Sequence, residues 1–463
     1  MSGMTTAMSD STAPAAAAQD TPYPNERYAW YVTTLLLIAY ILSFIDRQIM
    51  SLLIEPIKAD LDLTDGQIGL LLGPAFAIFY VTLGIPIGWV ADRKSRRVLI
   101  GAGIAFWSVM TAACGLARNF PQLFLARIGV GAGEAVLTPS ALSLISDYFP
   151  QKKRARAVSL YMCGISLGSG LANLLGGPLI ATLLSMPPLH LPGYGDLAAW
   201  QSAFLIVGLP GLLLAAMMAT VKEPLRRGMV SVERRQGGTS TDLDFKQSMA
   251  FIGKRWKAYG SLFFGMSVVT LVGYTGFWNA PLFQRTWGWD IGTIGIALGT
   301  AGLIFGPLGA NGGGWIADTF TKRGLKDGPM RGMYYGVILT VVTNIAYPLM
   351  PSGEWAMVIY VPSILGGAMA SACGAAAVVH IAPNQVRAQA TAIYWLIINV
   401  VGLLLGPTSV GFLTDMLGDP SQLRYAMAVV PFVVGIPAIL LIIWGLKHYA
   451  AAAEEAQAWA EKA

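Results

Sequence analysis

The chain has 463 residues, of which 55% are hydrophobic and only 12% are charged, and its mean hydropathy is +0.57. In soluble proteins about 25% of residues are charged, so this composition excludes an ordinary soluble fold. The net charge of +6 does not indicate a nucleic-acid partner, because Lys and Arg lie in short tracts between apolar runs. We therefore expect a membrane protein that binds no nucleic acid.

The chain begins with a polar segment. Residues 1–27 are rich in Ala, Ser and Thr and lack the charged start and apolar core of a secretory signal peptide. We predict a disordered cytosolic tail here. The cysteines Cys114, Cys163 and Cys373 lie far apart inside apolar runs, so we expect no disulfide and no metal site. Without a phosphate-binding loop or other cofactor motif, we also expect no cofactor.

Apolar stretches then recur along the chain, each long enough to cross a hydrocarbon core of ~30 Å as a helix. The predicted spans are 28–54, 66–91, 98–117, 121–148, 155–184 and 198–221, then 258–286, 291–317, 332–351, 355–381, 388–416 and 425–449. They lack the alternating pattern of membrane barrel strands, and a helix satisfies its own backbone hydrogen bonds in lipid. The sequence therefore predicts an all-α integral membrane protein with twelve transmembrane helices.

The cations predict the orientation of these helices. Lys and Arg are concentrated in alternate connections, at 93–97, 152–156, the central polar segment, 322–331 and Arg387. The connections between them carry few cations, and the first of these is acidic. Because cationic loops stay on the cytoplasmic side, both termini are expected in the cytoplasm. The expected location is the inner (plasma) membrane of a bacterium.

An internal repeat divides the chain into two halves. Gly88-Trp-Val-Ala-Asp92, followed by a pair of arginines, recurs with the same spacing as Gly314-Trp-Ile-Ala-Asp318, followed by Lys-Arg. Two similar halves in one orientation predict a pseudo-two-fold axis along the membrane normal. We therefore predict two pseudo-symmetric six-helix bundles at 28–221 and 258–450, with a cytoplasmic linker at 222–257 and a cytosolic tail at 451–463.

The segment Gly-x-x-x-Asp-Arg-x-x-Arg-Arg at 88–97 resembles the signature of the major facilitator superfamily, between the second and third helices. Ser95 departs from the usual second glycine. Gly88 would permit close helix approach, and Arg97 would pair with Asp147. These contacts would hold the outward-open state and break when the cytoplasmic side opens. The alternative is that the charges only set topology. The predicted gating residues are Gly88, Asp92, Arg93, Arg96, Arg97, Asp147 and Asp318.

Four ionisable residues lie inside predicted spans of the first half. Asp46 and Arg47 are adjacent in the first helix, and Arg127 and Glu134 are seven residues apart in the fourth, on one helix face. A charge at membrane depth is costly unless it is paired or faces water, so it marks a functional site. We predict a cluster that exchanges protons or contacts substrate. The alternative is a permanently paired structural network.

The second half offers only weaker candidates for a substrate cavity. Its spans carry no matching charges, and aromatic residues in membrane helices more often pack against helices or lipid. The candidates lie near helix breakers in the seventh and eleventh helices and are Tyr274, Trp278, Asn279, Tyr394 and Asn399. His380 lies at the end of the tenth predicted span, and we interpret it as interfacial rather than as a proton relay.

Within the superfamily the chain resembles the spinster-type lipid transporters. The resemblance is carried by Ile45-Asp-Arg47, Asp65-Gly-Gln-Ile-Gly69, Phe106-Trp-Ser108, Arg127 to Glu134, Gly168-Ser-Gly170 and Lys222-Glu-Pro224, and it is diffuse in the second half. It implies alternating-access movement of an amphipathic lipid of the sphingoid or lysophospholipid class, linked to protons. It also implies that Asp46, Arg47, Arg127 and Glu134 are the family's buried charged residues.

Two other functions remain open. Organic-anion and cation symporters of the same superfamily share the Asp-Arg pair and the Gly-Glu pair, and a receptor or structural membrane protein would not transport at all. An enzyme is not expected, because the sequence holds no nucleophile elbow or phosphate-binding loop. The expected partners are an amphipathic substrate, protons and membrane lipids, and the expected state is a monomer. Replacing Glu134 with Gln is expected to abolish proton dependence and leave folding intact.

Overall fold

The structure is a computed structural model that describes residues 22–91, 93–226 and 245–462. Within these residues twelve helices are long and apolar enough to cross a membrane, which confirms the predicted fold class. In the first half these are α1 (Glu26–Leu52), α2 (Asp65–Leu72 and Pro74–Ala91), α3 (Arg96–Cys114), α4 (Phe120–Glu134 and Leu137–Tyr148), α5 (Gln151–Met162 and Gly164–Ser185) and α6 (Ala199–Ala219). In the second half they are α7 (Trp256–Thr275 and Asn279–Trp287), α8 (Ile291–Lys322), α9 (Gly328–Ala346), α10 (Gly353–Ile381), α11 (Asn384–Leu417) and α12 (Leu423–Lys462).

Short elements connect the spans. A helix at Ile54–Leu61 joins α1 to α2, and a helix at Phe245–Lys254 precedes α7. The strands β1 (Leu189–Leu191) and β2 (Gly195–Leu197) form an antiparallel hairpin between α5 and α6. Single 3₁₀ turns lie at Gly276–Trp278, Tyr347–Leu349 and Pro420–Gln422.

Glycines fix the position of α4 in the first half. The main chain of Phe76 in α2 lies directly against Gly131, and a Cβ at Gly133 would come within 2.9 Å of the Trp107 main-chain nitrogen in α3. Only glycine permits such an approach. Helix α4 is interrupted just after Glu134. The Glu134 side chain is buried inside the first half.

Both described ends of the chain lie on one side of the molecule, which we call the terminal face; the opposite side is the far face. Glu26, at the start of α1, pairs with Lys153 at 2.6 Å. The last helix continues well past the predicted end of the twelfth span. There Glu454 and Glu455 pair with Lys326 and Arg255 at 2.7 and 2.6 Å.

The two halves are in contact at the far face. In α2, a Cβ at Gly69 would lie 3.0 Å from the carbonyl oxygen of Pro407 in α11. In α5, a Cβ at Gly177 would lie 2.7 Å from the Cα of Gly295 in α8. Backbones this close leave no room for a larger residue.

The contact between halves ends toward the terminal face. At Gly84 and Gly88, further along α2, a Cβ would meet no atom within 4 Å among the residues that the structure describes, and the same holds at Gly306 in α8. The halves therefore touch at the far face and diverge toward the terminal face.

Candidate functional site

A buried ion pair joins α1 to α4. Arg47 Nε donates to Glu134 Oε2 at 2.6 Å, and Ser43 Oγ donates to the same oxygen at 2.5 Å. The Glu134 side chain is fully buried, whereas that of Arg47 is 11% exposed. The structure thus brings together these two residues of the predicted cluster, with the arginine on the more open side.

Asp46 and Arg127 meet in a different way. Arg127 Nη1 donates to the main-chain carbonyl oxygen of Asp46 at 3.3 Å. Both residues are buried. Within the described part of the chain, Asp46 Oδ1, Arg127 Nε and Glu134 Oε1 have no hydrogen-bond partner. Buried charged atoms without partners are costly, so these atoms mark the cluster as a candidate functional site.

Aromatic rings surround the guanidinium group of Arg47. Its Cζ lies 4.6 Å from the ring centroids of Phe76 and Tyr80 and 4.9 Å from that of Phe44. Tyr274 of α7, one of the residues predicted for a cavity, is close enough to Arg47 to interact with its charge. The cation–π contacts with Phe44, Phe76 and Tyr80 stabilise a cation that is also paired with a carboxylate. Phe76 and Tyr80 were not predicted as site residues, although their spacing of four residues places them on one face of α2.

Trp278 and Asn279 serve helix packing. Trp278 Nε1 donates to the carbonyl oxygen of Pro407 at 2.9 Å, and the Tyr347 hydroxyl donates to Asn279 Oδ1 at 2.6 Å. Both residues are buried. Their described contacts hold the break in α7 to α11 and to the end of α9, and do not join the charge cluster.

Tyr394 and Asn399 of α11 also lie apart from the cluster. Tyr394 is buried with its ring 5.8 Å from that of Phe263, and Asn399 Nδ2 donates to Trp395 O in its own helix at 2.7 Å. At the terminal end of α10, His380 Nδ1 lies 3.1 Å from the Tyr449 hydroxyl.

The first-half loop between α2 and α3 is organised by Arg96. Its Nη1 donates to Asp147 Oδ2 at 2.5 Å and its Nε donates to Glu223 Oε1 at 2.8 Å. The expected pairing of Arg97 with Asp147 is therefore wrong. Successive helix residues point about 100° apart, so when Arg96 faces the interior Arg97 turns away from it. Arg97 Nη1 instead donates to the carbonyl oxygen of Val221 at 2.8 Å.

Glu223, just after α6, closes this loop from the other side. Its Oε2 accepts hydrogen bonds from Ser95 Oγ at 2.9 Å and from the Arg97 main-chain nitrogen at 3.0 Å. Burial raises the pKa of Glu223, but these hydrogen bonds and the Arg96 charge outweigh it and hold the pKa below its usual range. Ser95, which replaces the usual glycine, therefore supplies a hydroxyl to the loop.

The remaining predicted gating residues make no close helix contact between the described parts of the two halves. Asp92 lies outside the described residues. Arg93 and Asp318 are exposed. A Cβ built on Gly88 or Gly314 would meet no atom of the described residues within 4 Å, so the close helix approach expected at Gly88 is not made in this conformation. The reason is that the halves have diverged at this level.

The Arg96–Asp147 pair lies entirely within the first half. It is intact where the halves have separated at the terminal face. Movement of one half against the other therefore does not strain this pair. Whether the loop contacts break when the cytoplasmic side opens stays a prediction.

Two six-helix halves that touch at one face, diverge toward the other and hold buried charges within one half are typical of membrane transporters. The sequence model of the Major Facilitator Superfamily matches residues 36–407, and the chain belongs to this family.

Several characterised proteins are similar to this chain. It is 29% identical over 419 residues to an MFS-type efflux pump of Mycolicibacterium smegmatis, a match that covers 87% of this chain and 89% of that protein. It is 25% identical over 323 residues to a probable L-galactonate transporter of Escherichia coli, covering 68% and 67%. The fold matches a crystal structure of a bacterial homologue of the human lysosomal transporter Spinster, in an inward-facing and unoccupied conformation. That match has a TM-score of 0.75 and 27% identity and covers 93% and 98% of the two chains.

Proposed function

We propose that this protein is a secondary active transporter that moves an amphipathic, lipid-like molecule of the sphingoid or lysophospholipid class by alternating access, coupled to protons. The observation that carries the proposal is the uneven distribution of charge. Asp46, Arg47, Arg127 and Glu134 are gathered in the first half, while the apolar cores of the second-half spans lack Asp, Glu, Lys and Arg. These cores are residues 258–284, 291–317, 332–353, 355–379, 388–414 and 425–446. Such a wall suits an acyl or sphingoid chain.

The positive charges of the cluster are already balanced, so few are available to bind a small anion. Its two arginines are matched by two carboxylates, and Arg47 is already paired with Glu134 at 2.6 Å. Arg127 is buried and donates to a main-chain carbonyl group. Small carboxylates and phosphates are usually bound by several converging donors whose positive charge is not already neutralised by a protein carboxylate. One polar end and a long apolar tail fit this arrangement better.

Proton coupling is assigned to Asp46, with Glu134 as the counter-ion of Arg47. From the sequence, Glu134 was the expected site. However, Glu134 Oε2 accepts hydrogen bonds from Arg47 and Ser43, so this carboxylate is already paired. For Asp46, Arg127 engages the main-chain oxygen, and Oδ1 has no hydrogen-bond partner in the described residues. Protonation of Asp46 therefore removes more unfavourable free energy.

Export from the cytoplasmic leaflet is the proposed direction. It is supported by the similarity to an efflux pump, and the distribution of cations predicts that the open terminal face is cytoplasmic. We place the protein as a monomer in a bacterial inner membrane.

The second candidate function is proton- or cation-coupled symport of small organic anions. Its specific support is the similarity to the probable L-galactonate transporter and the partial exposure of Arg47 among aromatic rings. Under this alternative the substrate carboxylate would compete with Glu134 for Arg47. A third function, that of a receptor which does not transport, would leave costly buried ions without use.

The test uses purified full-length protein in liposomes with an imposed pH gradient. Lysophosphatidylcholine, sphingosine and galactonate are compared as substrates, and internal pH is followed together with substrate movement. We expect flux of an amphipathic substrate that depends on the gradient, and loss of that dependence in Asp46→Asn. Galactonate flux without lipid flux would establish the symporter, and the absence of flux under every gradient would favour the receptor.

A further inference from the structure

An arginine of the second half is clamped by two carboxylates of the first half at the far face. Arg285, near the end of α7, donates from Nη1 and Nη2 to the two carboxylate oxygens of Asp65, both at 2.8 Å. Its Nε donates to Glu55 Oε1 at 2.8 Å. Arg285 Nη1 also donates to Pro420 O at 3.3 Å within its own half, which orients the guanidinium group. This bidentate geometry is the strongest form of an arginine–carboxylate contact.

A carboxylate of the second half completes the contact from the other direction. Asp415 of α11 accepts hydrogen bonds from the main-chain nitrogens of Asp65 at 3.0 Å and Gly66 at 2.8 Å. These N–H groups begin α2 and have no partner inside the helix. A helix N-terminus also carries partial positive charge, which attracts the Asp415 carboxylate. The sequence marked Asp65-Gly-Gln-Ile-Gly69 only as a family resemblance.

The contacts of Asp65 and Gly66 with Arg285 and Asp415, which we call the clamp, lie nearer the surface of the far face than the tight packing between the halves. Asp65 is almost completely buried, the Arg285 side chain is 9% exposed, and Lys58 Nζ adds a bond to Asp65 Oδ1 at 2.6 Å. One helical turn deeper, Gly69 lies against Pro407 and Thr408 of α11. If α2 moves away from α7 and α11 at this face, the contacts with Arg285 and Asp415 must break together. Asp65 would then lose its pairing with Arg285.

We propose that Arg285 and Asp415 are the positioning residues that hold the far face shut, and that together they set the fraction of molecules open to that side. The proposal depends on alternating access but not on the identity of the substrate. Arg424, another arginine of this face, has no such contact with the first half in the described structure. It donates to Pro348 O and Met350 O within the second half, each at 3.1 Å, and so provides a matched control.

The test measures access to each side of the molecule with a membrane-impermeant maleimide. Thr408→Cys reports on the far face, because Thr408 lies half-buried between the halves below the clamp. Gly84→Cys reports on the terminal face: it lies one helical turn from Tyr80, on the same face of α2 that meets Arg47. Labelling is quantified at each position by mass spectrometry, so that reaction of the native Cys163 does not interfere. Intact cells expose one side and inverted vesicles the other.

In Arg285→Gln we expect far-face labelling at position 408 to rise by about tenfold, a shift that corresponds to the loss of one strong contact. Terminal-face labelling at position 84 should fall at the same time. Arg424→Gln should leave both rates within about twofold of the parent protein. A general loss of stability would raise both rates, so the reciprocal change is specific to a gate.

Asp415→Asn provides an independent variant if Arg285→Gln folds poorly. The amide keeps the shape of the carboxylate and one acceptor oxygen, so we expect a smaller rise at position 408. Arg285→Lys should give an intermediate rise, because lysine keeps the positive charge but cannot form the bidentate contact of a guanidinium group. Unchanged labelling in both Arg285→Gln and Asp415→Asn would overturn the proposal. No substrate is present in these measurements, so this outcome would leave the proposed transport function untouched.

Discussion

Arg127 bonds the backbone of Asp46 and not its carboxylate: Nη1 lies 3.3 Å from the Asp46 carbonyl oxygen, while Oδ1 has no partner among the described residues. The two arginines of the cluster therefore have different roles. Arg47 neutralises Glu134, and Arg127 fastens α4 to α1. The Asp46 carboxylate has less support from the described hydrogen bonds than that of Glu134, which is the reason for proposing it as the site of proton coupling.

Asp46→Asn should flatten the pH dependence of transport, because a neutral amide mimics the protonated acid and exchanges no proton. Initial rates in liposomes at mildly acidic, neutral and mildly alkaline pH measure this. Glu134→Gln is the comparison: it should lower the rate at every pH by weakening the contact with Arg47, while the pH dependence persists. If the pH dependence disappears in Glu134→Gln and survives in Asp46→Asn, the proton binds at Glu134 instead.

Arg47→Ala should destabilise the protein strongly. Removing one partner of a buried ion pair typically costs about 3–5 kcal/mol, because the remaining charge is left unpaired. The double variant Arg47→Met with Glu134→Leu removes both charges and should recover most of the loss. Thermal unfolding in detergent of the single and double variants gives the coupling between the two sites. Additive effects of the two substitutions would show that the ion pair contributes little.

Composition and periodicity were sufficient to predict the twelve spans. Each span is a long, mostly apolar run, because a backbone exposed to lipid must form a helix that satisfies its own hydrogen bonds. The local sequence is therefore enough to locate it. The approach of Arg47 to Glu134 was also predictable, since buried charges in neighbouring helices must find partners.

Contacts that depend on rotation about a helix axis or on distant pairing were not predictable. Adjacent arginines look equivalent in the sequence, and only the packing of α3 selects Arg96 over Arg97 as the partner of Asp147. The Arg285–Asp65 contact joins residues 220 positions apart, and no local pattern connects them. The aromatic residues around Arg47 resemble ordinary lipid-facing or packing residues until the helices are assembled.

Arg96→Gln should lower the thermal stability of the first half more than Arg97→Gln. Arg96 is buried and joins Asp147 to Glu223, so its loss leaves two acidic groups without their cation. Arg97 lies nearer the surface, and its side chain donates to main-chain oxygens. Melting temperatures of the two variants in detergent provide the comparison, and we expect a shift of several degrees for Arg96→Gln only. Equal shifts would argue that the loop is held by charge in general rather than by Arg96.

Glu223 should make the stability of the first half depend on acid. Its pKa is lower in the folded state than the ordinary value of a glutamate, so its ionised form contributes stability at neutral pH. That contribution is fully present above the unfolded pKa and is lost as the pH falls through the lower folded pKa. Glu223→Gln should therefore melt below the parent protein at neutral pH, and the difference should shrink below about pH 4.3. A constant difference across this range would contradict the role of its charge.

Glycines at two levels of α8 should respond oppositely to alanine. A Cβ at Gly299 would lie 2.7 Å from Gly170 O in α5, where the halves touch. A Cβ at Gly306 would meet no described atom within 4 Å. Overpacking in Gly299→Ala should cost about 1–3 kcal/mol, and it should push the halves apart near the far face. Gly306→Ala should be neutral or stabilising by roughly 0.5–1 kcal/mol, since alanine favours the helix over glycine. Thermal melts of both variants test this, and a similar loss in each would mean that the halves do not diverge between these two positions.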